Sequence, residues 1–587
     1  MGKAKSTRSP NLWSVMLDTP GLQTKDRAPR RVTETGADDV PHRQGSAGAS
    51  AAGGPGDHRR AATGPGDHAA AGLSWRRLLI ASALVLLLPG ALAILAIRHR
   101  APESPPVQTA TSFDVLAQVP DTVLRAQLDR SRTVFRLIGK LAGPALLDPA
   151  TTGTAGPGAL PTLALTPRMA PYTLGELRQL VPAAFTDIAA DTGAALLLTA
   201  NLQVPFGARL IIDGQTPDVR LTSTPSGFAT IISRGTVSIA GDATHPVRIS
   251  SWDPERGTTD ENSADGRSFI VQSGGRMDAN HAVFSYLGFN VGISSGVAWS
   301  GAPVSTTQPL PVNAEGDVRS SMFLHNHFGA YTRRAQGMQW VGNTFADNEE
   351  YGFDPHDFSN DFLVQGNVAF GNGKHGFIFS RGCAHNTLRD NISHDNGGHG
   401  FMIDDGRSRP STAAMARING SSGNVLTNNT SFNNAGNGIE IEGGTANVVT
   451  DNRVSGNYVG IQVKDDAAVT VRDNTISDNV WYGIDVRNIG AGADVVGNTI
   501  TASWGAVNLA TADSAAVGAN ISSDVSAPLV VAGVAIRDTS WTDSVLARLQ
   551  FSPMLLLWTL LLGVPIVVTV IRLSWSAARP RRRARTA

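Results

Sequence analysis

The residues best suited to chemistry in this 587-residue chain stand in Tyr351-Gly-Phe-Asp-Pro-His-Asp357, with Lys374, His375 and Arg381 following. A histidine flanked by carboxylates suits general-base work. Its ordinary pKa of roughly 6.5 lies near working pH, and a neighbouring carboxylate fixes its tautomer. An arginine clamps a carboxylate through two parallel hydrogen bonds. Together the two roles describe one reaction. Arg381 neutralises a uronate carboxylate, the C5 proton becomes more acidic, and His356 removes it. Tyr351, or a water on the opposite face, returns a proton. The scheme requires no cofactor and no metal.

These residues sit inside a repeat. Units aligned on a glycine begin at Gly329, Gly352, Gly376, Gly400, Gly438, Gly460 and Gly483, spaced 23, 24, 24, 38, 22 and 23 residues apart. The one long step holds an insertion around Asp405–Ser422. A second column runs through Asn343, Asn367, Asn391, Asn429, Asn452, Asn474 and Asn498, each opening a short apolar segment. A period of this length with short strands and no intervening helices predicts a parallel β-helix, an all-β solenoid of stacked coils. Stacked asparagines are expected to hydrogen-bond from coil to coil.

The first and third residues after each glycine are mostly apolar (Phe353 and Pro355, Phe377 and Phe379, Phe401 and Ile403), the second and fourth mostly polar. A period of two sends the first set inward and the second outward. Coils stack about 4.8 Å apart, so residues one repeat apart become neighbours. Tyr351, His375 and His399 then share one column, and Asp357, Arg381 and Asp405 another. The strip gathers His356, Arg381, Asp354 and Tyr351 as catalytic candidates. Asp357, Lys374, His375, His399, Tyr331, Arg333 and Asp404 are the substrate-binding candidates. Other outward charges, Glu440, Glu442, Lys464 and Arg487, read as a solvated face, and His385 and His394 as surface or turn residues. A zinc trio of His356, His375 and His399 would need closer convergence than a strip offers.

The remainder of the chain sets the context. Lys plus Arg and Asp plus Glu both number 49, which leaves no basic excess for nucleic acid. Cys383 is the only cysteine, so there is no intrachain disulfide. Residues 1–77 form a polar, basic arm without enough apolar residues to fold. Residues 78–97 are uncharged and long enough to span a bilayer, as is Met554–Ile571, the core of a second segment at 553–573. Six arginines follow the second core, which predicts cytoplasmic termini and an extracytoplasmic solenoid. Between the spans come a linker with an amphipathic stretch (98–170), the β-helix (171–520) and a second linker (521–552). A short basic tail, 574–587, ends the chain. Thr173-Leu-Gly-Glu176 is a capping-box pattern, and apolar spacing predicts a helix over Thr173–Ile188 that caps the first coil.

Taken with the coil rhythm, Tyr351-Gly-Phe-Asp-Pro-His-Asp357 and Lys374-His-Gly-Phe-Ile-Phe-Ser-Arg381 resemble the mannuronan C5-epimerase family, specifically its periplasmic β-helical alginate epimerases. Tyr286-Leu-Gly-Phe289, Gly292-Ile-Ser-Ser295 and the capping helix are similar as well, and the resemblance covers residues 170–510. It implies a right-handed β-helix that converts β-D-mannuronate to α-L-guluronate within a preformed polymer. His356 matches the family's base, Arg381 its carboxylate-neutralising group, Asp354 and Asp357 its supporting acids, and Tyr351 a tyrosine near the sugar. The implied partners are an anionic polysaccharide and the exopolysaccharide synthesis or export machinery of the membrane. Calcium is not implied, for the chain lacks Gly-Gly-x-Gly-x-Asp repeats. Two alternatives share the residues: a polyuronate lyase, in which the same anion expels the 4-O substituent, and a non-catalytic polysaccharide-binding solenoid.

Overall fold

In the computed structural model the described residues are 121–537 and Leu561, apart from 153–158, 191–192, 291, 302–311, 407–419, 467, 490, 511–513 and 533–535. The expected membrane spans at 78–97 and 553–573, the basic arm and tail, and most of the Asp405–Ser422 insertion lie outside them. Among the described residues no helix is long and apolar enough to cross a membrane.

The chain winds into three parallel sheets, here sheets I, II and III. One coil shows the order. Ala330–Arg333 lies in sheet I, Gln339–Val341 in sheet II and Thr344–Ala346 in sheet III, and Phe353–His356 re-enters sheet I beside its predecessor. Inward residues from successive coils form one continuous core along the tube. Phe353, Phe377 and Phe401 are wholly buried, and the last two stack at 5.0 Å. The repeat glycines are required by that close approach. A Cβ on Gly352 would stand 2.5 Å from the carbonyl oxygen of Gly376, and one on Gly376 would stand 2.9 Å from that of Gly400.

Asparagine ladders tie the turns together. From Asn343 to Asn498, each backbone N–H donates to the Oδ1 of the next asparagine at 2.8–3.0 Å. A second ladder, absent from the sequence reading, runs from Asn326 through Asn348, Asn372, Asn396, Asn434 and Asn457 to Asn479 at 3.0–3.2 Å. It precedes the repeat glycines and so fixes the entry to sheet I. Asn391 donates to Val364 O and Asn429 Oδ1, both at 2.9 Å, and accepts from Asn367. Asn391→Ala leaves several buried backbone and amide groups unpaired. Urea unfolding should therefore show a loss of roughly 3–5 kcal/mol, at ~1–3 kcal/mol for each group stranded.

The N-terminal cap differs from expectation. The helix stops at Leu180: α2 spans only Leu174–Leu180, with Thr173 Oγ1 accepting from Glu176 N–H. Pro182 offers no amide hydrogen and turns the chain into a short 3-10 segment. Phe185–Ala190 is then a strand, paired antiparallel with Gly193–Leu198. The cap is thus a helical turn followed by a hairpin, and Leu180 is 53% exposed where a longer helix would have buried it. At the other end sheet strands continue through Ala527–Ala532 to Ile536–Arg537, past the expected limit at 520.

The amphipathic stretch of the linker is a helix, α1 (Asp121–Leu137), and it lies against the solenoid. Gln127 Nε2 donates to Asn201 Oδ1 (3.0 Å) and Phe228 O (3.2 Å). Leu124 and Phe135 pack on an apolar patch made of Ile232, Phe269 and Val271 on the outer face of sheet I and of Phe228 beside it.

Candidate active site

The outer face of sheet I carries the site. Strand pairing sets Tyr331 beside Asp354 and Arg333 beside His356. Two coils on, Ser380 stands beside Asp404. The three sheet I strands at the site are each followed by a left-handed residue, with φ of 47° at Arg334, 41° at Asp357 and 51° at Arg381. That turn stacks Asp357 on Arg381 and throws both side chains back towards His356.

Asp357 is the hub. Its Oδ1 lies 2.9 Å from Arg381 Nη2 and 3.1 Å from His356 Nδ1, and its Oδ2 lies 3.4 Å from Arg333 Nε. Burial alone would raise the Asp357 carboxyl. His356, Arg381 and Arg333 outweigh it and hold the pKa below the ordinary range, so the group is an anion. The His356 contact does not meet hydrogen-bond geometry, and a carboxylate at that distance favours the tautomer that carries the proton on Nδ1. Nε2 is then left with its lone pair. His356 is only partly exposed, at 23% of its side chain, where the sequence suggests an open histidine.

Asp354 behaves in the opposite way. It is 3% exposed, and burial pushes its pKa up to about 7, with His356 opposing and Asp357, Glu350 and Asp404 adding to the rise. Its Oδ1 and the Nε of Arg381 are both buried and unpaired in the described structure. Orphaned polar atoms of opposite character on adjacent coils suit a ligand that both accepts and donates. Tyr331 is also buried, its ring 5.9 Å from that of His356. Burial, then Asp354 and Asp357, raise its phenol far above the usual range, so its proton stays.

On the other side of the strand, Tyr351, His375 and His399 form the predicted column as a ring stack, 5.4 and 4.7 Å between centroids. The imidazoles are rungs. His375 Nδ1 accepts from His399 N–H and His399 Nδ1 accepts from Asn437 N–H, each at 2.8 Å. Burial lowers both pKa values, so the rings are neutral and contribute no charge to the strip. Those Nδ1 lone pairs are spent. Among the described residues no group of three His, Cys, Asp or Glu converges to hold a metal ion. Lys374 Nζ, over Tyr351 at 5.3 Å, lies 3.0 Å from Glu350. Asp404 Oδ1 accepts from Gly406 N–H at 2.7 Å.

Glu440 does not belong to a solvated face. It is 2% exposed, with Lys464 Nζ at 2.6 Å, Asn437 Nδ2 at 2.7 Å and His399 Nε2 at 3.0 Å. Asp485 is wholly buried against Arg487, Gln462 and Asn508. Their membership of the Tyr331–Asp354 column was the available signal, since both stand at the same outward position as Asp354 in later coils.

Fold and site together define a solenoid with an acid–base strip on one outer face. The right-handed β-helix region family matches residues 310–414 and 409–522. The mannuronan C5-epimerase of Pseudomonas aeruginosa is 28% identical over 184 residues, 30% of this chain and 32% of that protein. Mannuronan C5-epimerase AlgG of Azotobacter vinelandii is 26% identical over 226 residues, 35% of this chain and 39% of that protein. The crystal structure of the periplasmic alginate epimerase AlgG superposes with a TM-score of 0.50 at 20% identity, covering 64% of this chain and 85% of that one. The chain is a right-handed β-helix distantly related to the mannuronan C5-epimerases. The sequence match spans about a third of the length of these curated relatives.

Proposed function

We propose that this chain is a polyuronate C5-epimerase that converts β-D-mannuronate to α-L-guluronate residues in a preformed polymer. The observation that carries the reading is the shared carboxylate of Asp357, which holds a base and a carboxylate clamp side by side. Arg381, one-third exposed and held by Asp357 through Nη2, offers its remaining N–H groups to the uronate carboxylate, and neutralising that charge acidifies the C5 proton. His356 Nε2 takes the proton while Asp357 supports the imidazolium that forms, a division of labour found wherever a carboxylate backs a histidine base. Asp354, whose pKa burial raises to about 7, keeps its proton in a large fraction of molecules at neutral pH. In that form it adds no repulsion and offers a hydrogen to the developing enediolate, as a protonated carboxyl does in other enolising sites. Tyr351 or a water returns a proton from the opposite face.

The substrate class follows from the same residues, together with what the relatives' names record. The solenoid is placed outside the cytoplasm, tethered by the two apolar spans and beside polysaccharide synthesis or export machinery. Support comes from those spans and the arginine-rich tail in the sequence, and from the periplasmic description of the AlgG structure.

The test is proton NMR of polymannuronate after incubation with the full-length chain in deuterated water. Guluronate signals carrying deuterium at C5, with chain length unchanged, are the expected result. Unsaturated end groups with falling chain length would make the protein a lyase. No change in the polymer would leave only a binding role or a different uronate.

A further inference from the structure

We infer that the cleft under α1 is a blind end of the substrate groove, and that it captures the terminus of a polyuronate chain. The inference rests on the polyuronate reading of the adjoining strip. It adds where the polymer begins and which way it runs.

The geometry comes first. α1 lies across sheet I at the strands Asn201–Val204 and Thr230–Ser233, pinned by the Gln127 bonds to Asn201 and Phe228. Asn201 and Gln203 are 3% and 2% exposed, so nothing can continue along the sheet beyond this helix. On the site side of α1 a cleft of about 820 Å³ opens, lined by the apolar Ile232, Val271 and Ile293 and by Phe135 of α1. Arg132, Arg234 and Arg333 stand at its wall.

Arg333 belongs to both places. It lines the cleft and reaches to 3.4 Å from Asp357. The outward column from the cleft to the base reads Ser273, Ser300, Arg333, His356, each paired with the next. Four strand steps separate Thr230–Ser233 from the strand of His356, roughly 19 Å at the usual strand spacing.

Charge then sets the direction. The cleft side presents three guanidiniums, with Asp129 2.6 Å from Arg132 and Asp357 3.4 Å from Arg333. The opposite side carries Asp404, Glu442 and the buried Glu440 and Asp485 against Lys464 and Arg487, a net negative stretch. A polyanion is drawn to the first and repelled by the second. The chemistry matches a uronate chain at both levels. The apolar lining suits the C–H face of a pyranose ring, and the arginine forks suit its carboxylates. A chain that enters the cleft end-first puts an internal residue at His356, and the rest of the polymer leaves the sheet before the acidic stretch.

The experiment reads binding and leaves turnover to a separate assay. Calorimetric titration of the full-length His356→Ala chain with a mannuronate hexamer is compared with the same chain carrying Arg132→Gln and Arg234→Gln. Affinity is expected to fall at least about tenfold, the effect of losing one charge-assisted contact. Arg132→Gln alone, at a side chain 63% exposed, is expected to weaken binding without lowering the melting temperature. A long polymannuronate of defined length should bind one protein per chain, whatever its length. Unchanged hexamer affinity in the double variant, no hexamer binding at all, or many proteins per polymer chain would each overturn the inference. A chain that binds the hexamer as predicted but forms no guluronate would count against the epimerase activity alone.

Discussion

His356→Gln removes turnover of polymannuronate almost completely, with kcat lowered by about 10²–10⁴-fold, the contribution of a positioned general base. Glutamine keeps the size and polarity of the side chain and cannot take a proton. Because His356 points outward from a strand whose core residues Phe353 and Pro355 are untouched, the melting temperature should stay within a few degrees. Arg381→Lys is expected to lower turnover by roughly 10²–10³-fold, in line with the loss of a donor aimed at developing negative charge. A lysine keeps the positive charge but not the fork, and it releases Asp357 from a 2.9 Å contact that orients the base. Solvent deuterium incorporation at C5 separates the two defects. In His356→Gln no deuterium enters, because proton removal itself is lost, whereas Arg381→Lys should still exchange slowly. Activity near the native level in either variant would place the chemistry elsewhere on the solenoid.

How much of this was legible beforehand depends on whether a feature lives within one coil or between coils. Alternation after Gly352 correctly sent Phe353 inward and Asp354 and His356 outward, because the period of a strand is fixed by its own backbone. Column membership was legible too, since a constant repeat forces Tyr351, His375 and His399 into one stack. What neighbouring coils do to an outward side chain was not. Glu440 reads as solvated from its own segment, and only His399 and Lys464, each on a different coil, bury and pair it. His375 and His399, substrate-binding candidates in the sequence, are rungs whose Nδ1 atoms accept backbone N–H groups from the next coil. The cap failed for a related reason. Leu174, Leu177, Phe185 and Ile188 recur at helical spacing, but Pro182 and the pairing of Phe185–Ala190 with the following strand outweigh that periodicity. α1 was visible as an amphipathic stretch. Its partner was not, because the apolar patch it covers is assembled from residues 228–271, far along the chain.

Asp354→Asn stabilises the protein at pH 8 and changes its stability by no more than about 1 kcal/mol at pH 4.5. The folded-state pKa of Asp354 is about 7, well above the ordinary carboxylate value, because burial disfavours the anion. Between roughly pH 4 and 7 the folded chain therefore holds a proton that the unfolded chain has released. Stability falls as pH rises through that window and levels off above it. The gap corresponds to at most roughly 4 kcal/mol, and relaxation or water entering the strip will reduce what is measured. Asparagine is neutral throughout, so the variant escapes the fall and gains about 2–4 kcal/mol at pH 8 in urea unfolding. Parallel stability curves across both pH values would mean that Asp354 is an ordinary anion and no hydrogen donor. The same substitution bears on catalysis. The asparagine amide also donates a hydrogen bond, so turnover should survive at neutral pH. Any loss of native activity that sets in as Asp354 ionises, near pH 7, should be absent from the variant. That pairing of a destabilising group with a retained donor is what a carboxyl kept neutral for function predicts, and a purely structural aspartate would give the stability effect without the change in the pH profile.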